Sequence, residues 1–167
     1  MTAKYMRRFL KKKESKNLKK DIQKRVRVDL TRILGEKDNI EIVEKTKTKI
    51  IIINRKAILI ISKEKIFPSL NNDDILKLFP RVVIDMGAIP YICKGANIMA
   101  PGIVRYEGEF QKNEIVTITE ERYNRVIAVG ETMYDYNTMK EMAKGEVISN
   151  NHFVGDKIWK FINETLE

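Results

Sequence analysis

The chain has 167 residues, of which 43% are hydrophobic, and a formal net charge of +9. This length suits one domain or two small ones, and the apolar content is too high for a wholly disordered chain. The single cysteine, Cys93, excludes an intrachain disulfide and a cysteine-based zinc site. No run reaches the roughly 18 apolar residues of a membrane span, and no apolar segment follows the basic start as in a signal peptide. We therefore expect a cytoplasmic protein with no membrane segment.

The positive charge is concentrated at the start of the sequence. Residues 1–32 contain 13 Lys and Arg against 3 Asp and Glu, whereas residues 33–167 contain 19 and 20. Such a segment is typical of contact with a polyanion, and the candidate contacts are Lys19, Lys20, Lys24 and Arg25. The alternative is a solvated lysine-rich helix face, as in heat-adapted proteins. Because residues 1–13 precede the first apolar stripe, their removal is expected to leave the melting temperature nearly unchanged.

A long amphipathic helix is predicted after this basic start. Ser15 can cap it and Gly35 can end it. Its apolar residues recur at spacings of three and four: Leu18, Ile22, Val26, Leu30 and Ile33. One face of this helix is therefore expected to pack against the rest of the first domain.

A meander and a second helix complete the predicted first domain. Strand-like runs at 39–44, 49–54 and 57–62 are separated by short polar turns. Asn71 or Asn72 can cap a short helix that Pro80 ends. The α+β fold thus begins with a small domain, residues 1–79, that contains a helix, a three-stranded meander and a helix.

The second half, residues 80–167, is rich in short strands and turns. Strands are predicted at 82–84, 114–119, 125–131, 147–149 and 152–154, with a helix at 133–144, and residues 157–162 finish the chain. The turn at 121–124 is polar. Many short strands with few helices favour a small mixed β-barrel. Ala128-Val129-Gly130 is expected to be barrel core with one close backbone approach, and Trp159 is expected to fill the core.

The most informative segment is VIDMGAIPYICKGANIMAPG, residues 83–102. Its glycines exclude one long helix and favour a short helix between two turns. The inward side of that helix is expected to be apolar: Ile89, Ile92, Cys93 and Ala96. Tyr91 and Lys94 then face outward together, where the ring can stack on a base and the ammonium can contact a phosphate. Gly95 is expected to end the helix in a left-handed conformation.

The second half resembles a PUA domain, the small RNA-binding barrel of pseudouridine synthases and archaeosine transglycosylases. The matching residues are Asp85, Gly87-Ala88, Gly95-Ala96, Met99, Pro101-Gly102, Ala128-Val129-Gly130, His152, Gly155-Asp156 and Trp159. The resemblance implies an RNA-facing groove at Gly87, Ala88, Tyr91, Lys94 and Gly95. The alternative for the glycines is that they only permit tight turns. Arg105 is either a second phosphate contact or a charge that protects an edge strand.

The whole chain is similar to the family of the malignant T-cell amplified sequence protein and the N-terminal half of ligatin. Gly95-Ala96-Asn97-Ile98-Met99-Ala100-Pro101-Gly102 and Phe67-Pro68-Ser69-Leu70 carry this resemblance. It implies action on the small ribosomal subunit, with a partner like density-regulated protein. The lysine- and isoleucine-rich composition indicates an archaeal-type member.

The sequence offers little support for catalysis. It contains no HExxH, GxSxG or P-loop motif, and the lone histidine, His152, lacks a second metal ligand and is interpreted as structural. We therefore predict no catalytic residue, no metal and no cofactor. The leading hypothesis is a translation factor that binds ribosomal RNA or the tRNA acceptor end. The alternatives are an RNA-docking subunit for a modification enzyme and an adaptor whose basic helix binds an acidic protein.

Overall fold

The computed structural model describes residues 5–35 and 39–166. The chain divides into two compact units: Met1–Leu78 with Phe161–Glu167, and Phe79–Lys160. The α+β class is confirmed, with one five-stranded and one six-stranded sheet. The sequence-based division into 1–79 and 80–167 places all of the last helix in the second domain, whereas its residues from Phe161 onward pack with the first unit.

An antiparallel sheet forms the centre of the first unit. Its strands, in spatial order, are β1 (Met6–Phe9), β2 (Ile40–Lys45), β3 (Thr48–Ile53), β4 (Lys56–Ser62) and β5 (Lys65–Pro68). The three predicted strands are confirmed as β2, β3 and β4. Asn54 and Arg55 both have positive φ, at 51° and 66°. This is the geometry of a two-residue hairpin whose twist matches that of the flanking strands.

Three helices accompany this sheet: α1 (Lys12–Arg25), α2 (Thr31–Leu34) and α3 (Asp73–Leu76). Asn72 caps α3 as predicted, because its side chain accepts a hydrogen bond from Ile75 N at 3.2 Å. The prediction of one helix from Ser15 to Gly35 is wrong, since the chain leaves the helix after Arg25 and resumes it at Thr31.

The side chain of Gln23 stabilises this interruption. Its amide donates to Val28 O at 3.0 Å, and its Oε1 accepts from Leu30 N at 3.0 Å. These hydrogen bonds satisfy backbone groups of the non-helical segment Val26–Leu30. Val26 and Val28 are β-branched residues with a lower helix propensity, so leaving the helix costs little free energy at these positions. The stripe of Ile22, Val26 and Leu30 is still buried, and Leu34 joins it in place of Ile33.

Residues Met6–Phe9 of the basic start are part of the fold. Strand β1 pairs with β2 in register from Met6 opposite Glu44 to Phe9 opposite Glu41. Arg7 donates to the carboxylate of Glu41 and, through Nη1, to Thr165 O at 2.9 Å. Removing residues 1–13 would take away β1 and the bonds of Arg7, so we expect it to lower the melting temperature, contrary to the expectation from the sequence.

The second unit is built on a mixed sheet. Its strands, in spatial order, are β7 (Ile98–Met99), β11 (Glu146–Phe153), β10 (Val126–Thr132), β9 (Ile115–Glu120), β6 (Arg81–Ile84) and β8 (Ile103–Glu107). Only β6 and β9 are parallel. Its helices are α4 (Ile89–Ile92) and α5 (Tyr136–Met139), and it also contains the first four residues of α6 (Lys157–Leu166). The helix predicted at 133–144 is shorter in the structure, where only α5 forms. It begins after Asp135 because the side chain of Asp135 caps it by accepting from Thr138 N at 2.7 Å.

The expected close approach at Gly130 is confirmed. A Cβ there would lie 2.4 Å from Ile148 Cγ2 and 2.7 Å from Ser149 O. Strands β10 and β11 can therefore meet at this point only when no side chain is present. The two predicted strands at 147–149 and 152–154 form one continuous strand, β11, and its register against β10 shifts at Val129/Gly130.

His152 and Asp156 join β11 to α6. His152 is fully buried, and its Nδ1 lies 2.9 Å from Asp156 Oδ2. The same carboxylate accepts from Phe153 N at 2.9 Å and from Trp159 N at 2.6 Å, which caps the helix. Burial raises the pKa of Asp156, but its bonds to His152 and the two N–H groups outweigh this and lower the pKa overall. The expectation that Trp159 fills the core is wrong, since it is half-buried.

Candidate nucleic-acid interface

The start of the candidate site is a turn that Asp85 fixes directly after β6. Asp85 N donates to Gly102 O at 3.0 Å, and Asp85 Oδ1 accepts from Ala88 N at 2.9 Å. The bonds start a 3-10 helix, Met86–Ala88, which leads into α4 with Pro90 in its first turn. Proline is tolerated there because the missing N–H would have no helical partner.

The end of α4 is closed by Gly95. Its φ of +98° lies in the left-handed region, as predicted. Gly95 N donates to Ile92 O at 3.0 Å and Ala96 N donates to Tyr91 O at 3.1 Å, the paired bonds of a Schellman motif. The helix is therefore only one turn long and stops at a defined residue, which fixes the direction of the side chains on it.

Tyr91 and Lys94 are exposed, as predicted, and Tyr91 exposes 70% of its surface. On the opposite side Ile92 is buried, while Ile89 and Cys93 are half-buried against the core of the second unit. The prediction that Ala96 faces inward with these residues is wrong, since Ala96 is exposed. The helical spacing cannot extend to Ala96 because the chain leaves the helix at Gly95.

A cavity of about 460 Å³ lies beside α4 in the second unit. It is lined by Ile84, Ala88, Tyr91, Ile92, Gly95, Ala96, Asn97, Ile98, Met99, Gly102 and Glu146. Of the predicted groove residues, Ala88, Tyr91 and Gly95 are brought together in this lining. Gly87 is exposed on the preceding 3-10 helix, and Lys94 is exposed between Tyr91 and Gly95 in sequence. The cavity is thus mostly apolar, with an aromatic ring at its exposed side.

A pair of asparagines that sequence reasoning missed holds the wall of this cavity in place. Asn150 donates from Nδ2 to Ile92 O and to Ala96 O, both at 3.0 Å. Asn150 N donates to Asn97 Oδ1 at 3.0 Å, and Asn97 Nδ2 donates to Glu146 Oε2 at 3.2 Å. A side chain from β11 thus bonds the last carbonyl of α4 and the carbonyl that follows Gly95, so the glycine turn is held by the sheet.

Arg105 lies on β8, an edge strand of its sheet, away from the lining of the cavity. Its side chain is exposed, and its Nε donates to Glu107 Oε1 at 3.3 Å. This placement is compatible with the edge-strand role, and contact with phosphate stays a prediction.

The predicted cations of α1 belong to the first unit and differ in their environments. Lys19 donates to Gly35 O, and Arg25 donates to Glu64 O at 2.6 Å and pairs with Asp21 at 3.5 Å. Lys20 and Lys24 are exposed. Two of the four side chains thus help to hold the fold, which leaves Lys20 and Lys24 as the stronger candidates for contact with a polyanion.

The side chains of this site offer an exposed aromatic ring, apolar contacts and hydrogen-bonding amides. Burial raises the pKa of the Cys93 thiol, which keeps it in the less nucleophilic protonated form. Within residues 5–35 and 39–166, no group of three or more His, Cys, Asp or Glu is arranged to hold a metal ion. None of the helices described in that range has the length and apolar character that a membrane span requires.

Family models match most of the sequence. Residues 80–154 match the PUA domain, and residues 6–72 match a domain of unknown function, DUF1947. An uncharacterized protein of Methanocaldococcus jannaschii is 35% identical over 158 residues, which cover 93% of this chain and 96% of that protein. Translation machinery-associated protein 20 of Schizosaccharomyces pombe is 40% identical over 90 residues, 52% of this chain and 50% of that protein.

The same architecture occurs in a solved structure. The crystal structure of a hypothetical protein from Pyrococcus horikoshii OT3 has a TM-score of 0.78 and 32% identity, and the match covers 94% of this chain and 99% of that one. The fold and the glycine-closed helix thus define a PUA-domain protein. More narrowly, the chain belongs to the family that includes translation machinery-associated protein 20 and human malignant T-cell-amplified sequence 2, the latter 29% identical over 85 residues.

Proposed function

We propose that this protein is a non-catalytic, cytoplasmic RNA-binding factor of translation that contacts the small ribosomal subunit, the tRNA acceptor end, or both. A protein partner like density-regulated protein is part of this proposal. The observation that carries it is Tyr91, a tyrosine 70% exposed at the side of an apolar cavity, on the short helix that Gly95 closes. The names of the relatives support the link to translation.

The geometry suits an unpaired nucleotide. The cavity of about 460 Å³ falls within the roughly 300–1,000 Å³ of typical ligand pockets. Its apolar lining can cover the face of a base, and the exposed ring of Tyr91 can stack on a base with no sequence requirement. Gly95 lets the RNA backbone approach closely, because it presents no side chain.

Positive charge outside the cavity supplies the complementary attraction to phosphate. Lys94 is exposed, three residues after Tyr91 and directly before Gly95. Lys20 and Lys24 are exposed on α1. Glu146 lines the cavity, and Asn97 donates to its carboxylate. We therefore assign base contact to the cavity, phosphate contact in the second unit to Lys94, and a separate phosphate contact on the first unit to Lys20 and Lys24.

The proposal is tested by the affinity of the protein for a labelled, unstructured RNA over a range of salt concentrations. Tyr91→Ala is expected to weaken binding by roughly 1–3 kcal/mol through loss of a stacked base. Lys94→Ala should reduce the slope of log K against log salt by about 0.7, the value for one phosphate on a single strand. Lys20→Gln with Lys24→Gln should reduce it further.

Tyr134→Ala is the matched control, since Tyr134 is an exposed tyrosine in the same unit and lies outside the cavity lining. All variants should melt as the parent does, because exposed substitutions usually change stability by less than about 0.5 kcal/mol. Co-sedimentation with small ribosomal subunits then tests the translation assignment. RNA binding without co-sedimentation would favour the docking-subunit alternative, and unchanged RNA binding by the Tyr91 and Lys94 variants would rule out the cavity as the RNA site.

A further inference from the structure

The hairpin that joins β9 to β10 carries a second exposed aromatic group among cations. We call residues 121–125 the β9–β10 tip. Tyr123 exposes 61% of its surface, and Arg122 and Arg125 are also exposed. The guanidinium carbon of Arg125 lies 5.1 Å from the centre of the Tyr123 ring, within the range of a cation–π contact. The core of the second unit does not use these three side chains.

A buried carboxylate fixes the backbone of this tip. Glu120 is 3% exposed, and its side chain accepts from Arg122 N at 2.9 Å, Tyr123 N at 2.8 Å and Arg125 N at 3.0 Å. Burial raises the pKa of Glu120, but these backbone donors outweigh it and lower the pKa overall, so the group is ionised at neutral pH. An exposed loop held by three such bonds presents its side chains in a defined arrangement, which reduces the entropy lost on binding.

The tip lies next to the candidate groove. Glu121 N donates to Ile84 O at 3.1 Å, and Ile84 lines the cavity. Met86 N donates to Glu121 Oε1 at 3.4 Å, and Met86 begins the 3-10 helix that carries Gly87 and Ala88. The tip is therefore hydrogen-bonded directly to the strand end and to the 3-10 helix that contribute Ile84 and Ala88 to the wall of the cavity.

We propose that the β9–β10 tip is a second contact for single-stranded RNA, in which one unpaired base stacks on Tyr123 and Arg122 and Arg125 contact the flanking phosphates. This rests on the proposed function, because the RNA is the same one that enters the cavity. The planar guanidinium forks match phosphate oxygens, and an exposed tyrosine ring offers a stacking face to any base.

The charges of the tip favour RNA over an acidic protein segment. In the part of the chain that the structure describes, neither Arg122 nor Arg125 has its guanidinium in an ion pair with a carboxylate. Glu120 is turned to the loop backbone, and the one other acid, Glu121, is bonded to Met86 N. The two cations flank an aromatic face, which is the arrangement that alternates phosphate and base contacts along a strand.

The test uses the full chain and a fluorescently labelled oligouridylate of about 12 nucleotides, a length within the site sizes of single-strand binders. Tyr123→Ala is expected to weaken binding about tenfold through loss of one stacked base. Tyr123→Phe keeps the ring and should bind as the parent does. Arg122→Gln with Arg125→Gln should flatten the salt dependence, with Tyr134→Ala as the unaffected control.

The outcomes separate this proposal from the first one. If Tyr91→Ala weakens binding and Tyr123→Ala does not, the tip proposal is overturned and the cavity assignment stands. If the parent chain does not bind the oligonucleotide, both proposals fail together. Weakening by Tyr123→Ala with an unchanged melting temperature, restored in Tyr123→Phe, supports the tip. The binding of a labelled acidic peptide is measured with the same variants. If Tyr123→Ala leaves the binding of RNA unchanged and weakens only the binding of this peptide, the tip is a protein contact and the proposal is wrong.

Discussion

Arg7 provides the sharpest test of the role of the basic start of the chain. Glu41 on β2 is only 7% exposed, and Arg7 on β1 donates to its carboxylate from both Nε and Nη2. Arg7→Ala would leave this carboxylate buried without its partner. Breaking a fully buried ion pair costs about 3–5 kcal/mol, but the Arg7 side chain is 41% exposed and water can partly replace it. We therefore expect a loss of about 2 kcal/mol in the free energy of unfolding.

Urea denaturation of four proteins measures this contribution: the parent, Arg7→Ala, Glu41→Gln and the double variant. Because the two side chains share their bonds, the double variant should be less destabilised than the sum of the single ones, by about 0.5–3 kcal/mol. Arg8→Ala is the matched control on the same strand, since its pair with Glu14 at 2.9 Å is exposed. It should change stability by less than about 0.5 kcal/mol. An Arg7→Ala variant as stable as Arg8→Ala would refute a structural role for Arg7.

Three further predictions concern the second unit and use thermal or urea denaturation. Gly130→Ala should lower the free energy of unfolding by about 1–3 kcal/mol, because the added carbon meets backbone and a packed side chain. Gly102→Ala is the control and should be near neutral, since the nearest atom to its added carbon would be 3.5 Å away. Equal effects of the two substitutions would contradict the packing at Gly130. Gly95→Ala should lose about 1–2 kcal/mol from its left-handed backbone, and a neutral result would contradict the Schellman motif. The pKa of Asp156 is lowered in the folded state, so its stabilisation is present above the unfolded value of about 3.9 and is lost as the pH falls through the folded pKa. The stability difference between the parent and Asp156→Asn should therefore be constant above about pH 5 and shrink as the pH falls below it, and a difference that stays constant on acidification would show that the charge contributes nothing.

Much of the fold could be predicted because the signals are local. The isoleucine-rich runs of β2, β3 and β4 and the turn at Asn54-Arg55 lie within short stretches of sequence. Strand β1 was missed because all four of its residues are exposed, so that Met6-Arg7-Arg8-Phe9 shows no apolar pattern. The break after α1 was missed because it depends on one glutamine side chain, and its apolar stripe continues through the break.

The candidate site likewise has features that local sequence predicts and features that it does not. The left-handed Gly95 and the exposed Tyr91 follow from spacing within one short helix, so they could be predicted. The bond from Asn150 N to Asn97 joins residues 53 positions apart in sequence, and no local pattern indicates it. Glu146 is likewise brought to the cavity by the pairing of β11 with β7.

The first unit is discontinuous in sequence, which has a consequence for its synthesis. Phe161 is buried there, with its ring 5.8 Å from that of Tyr5 and beneath Lys45, and Asn163 bonds to Asn71 at 2.7 Å. The 82 residues of Phe79–Lys160 must be translated before these contacts can form. At the usual rate of translation this takes about 4–16 s. The first unit, although its strands are made first, therefore waits with part of its apolar surface uncovered until the whole of the second unit has been synthesised.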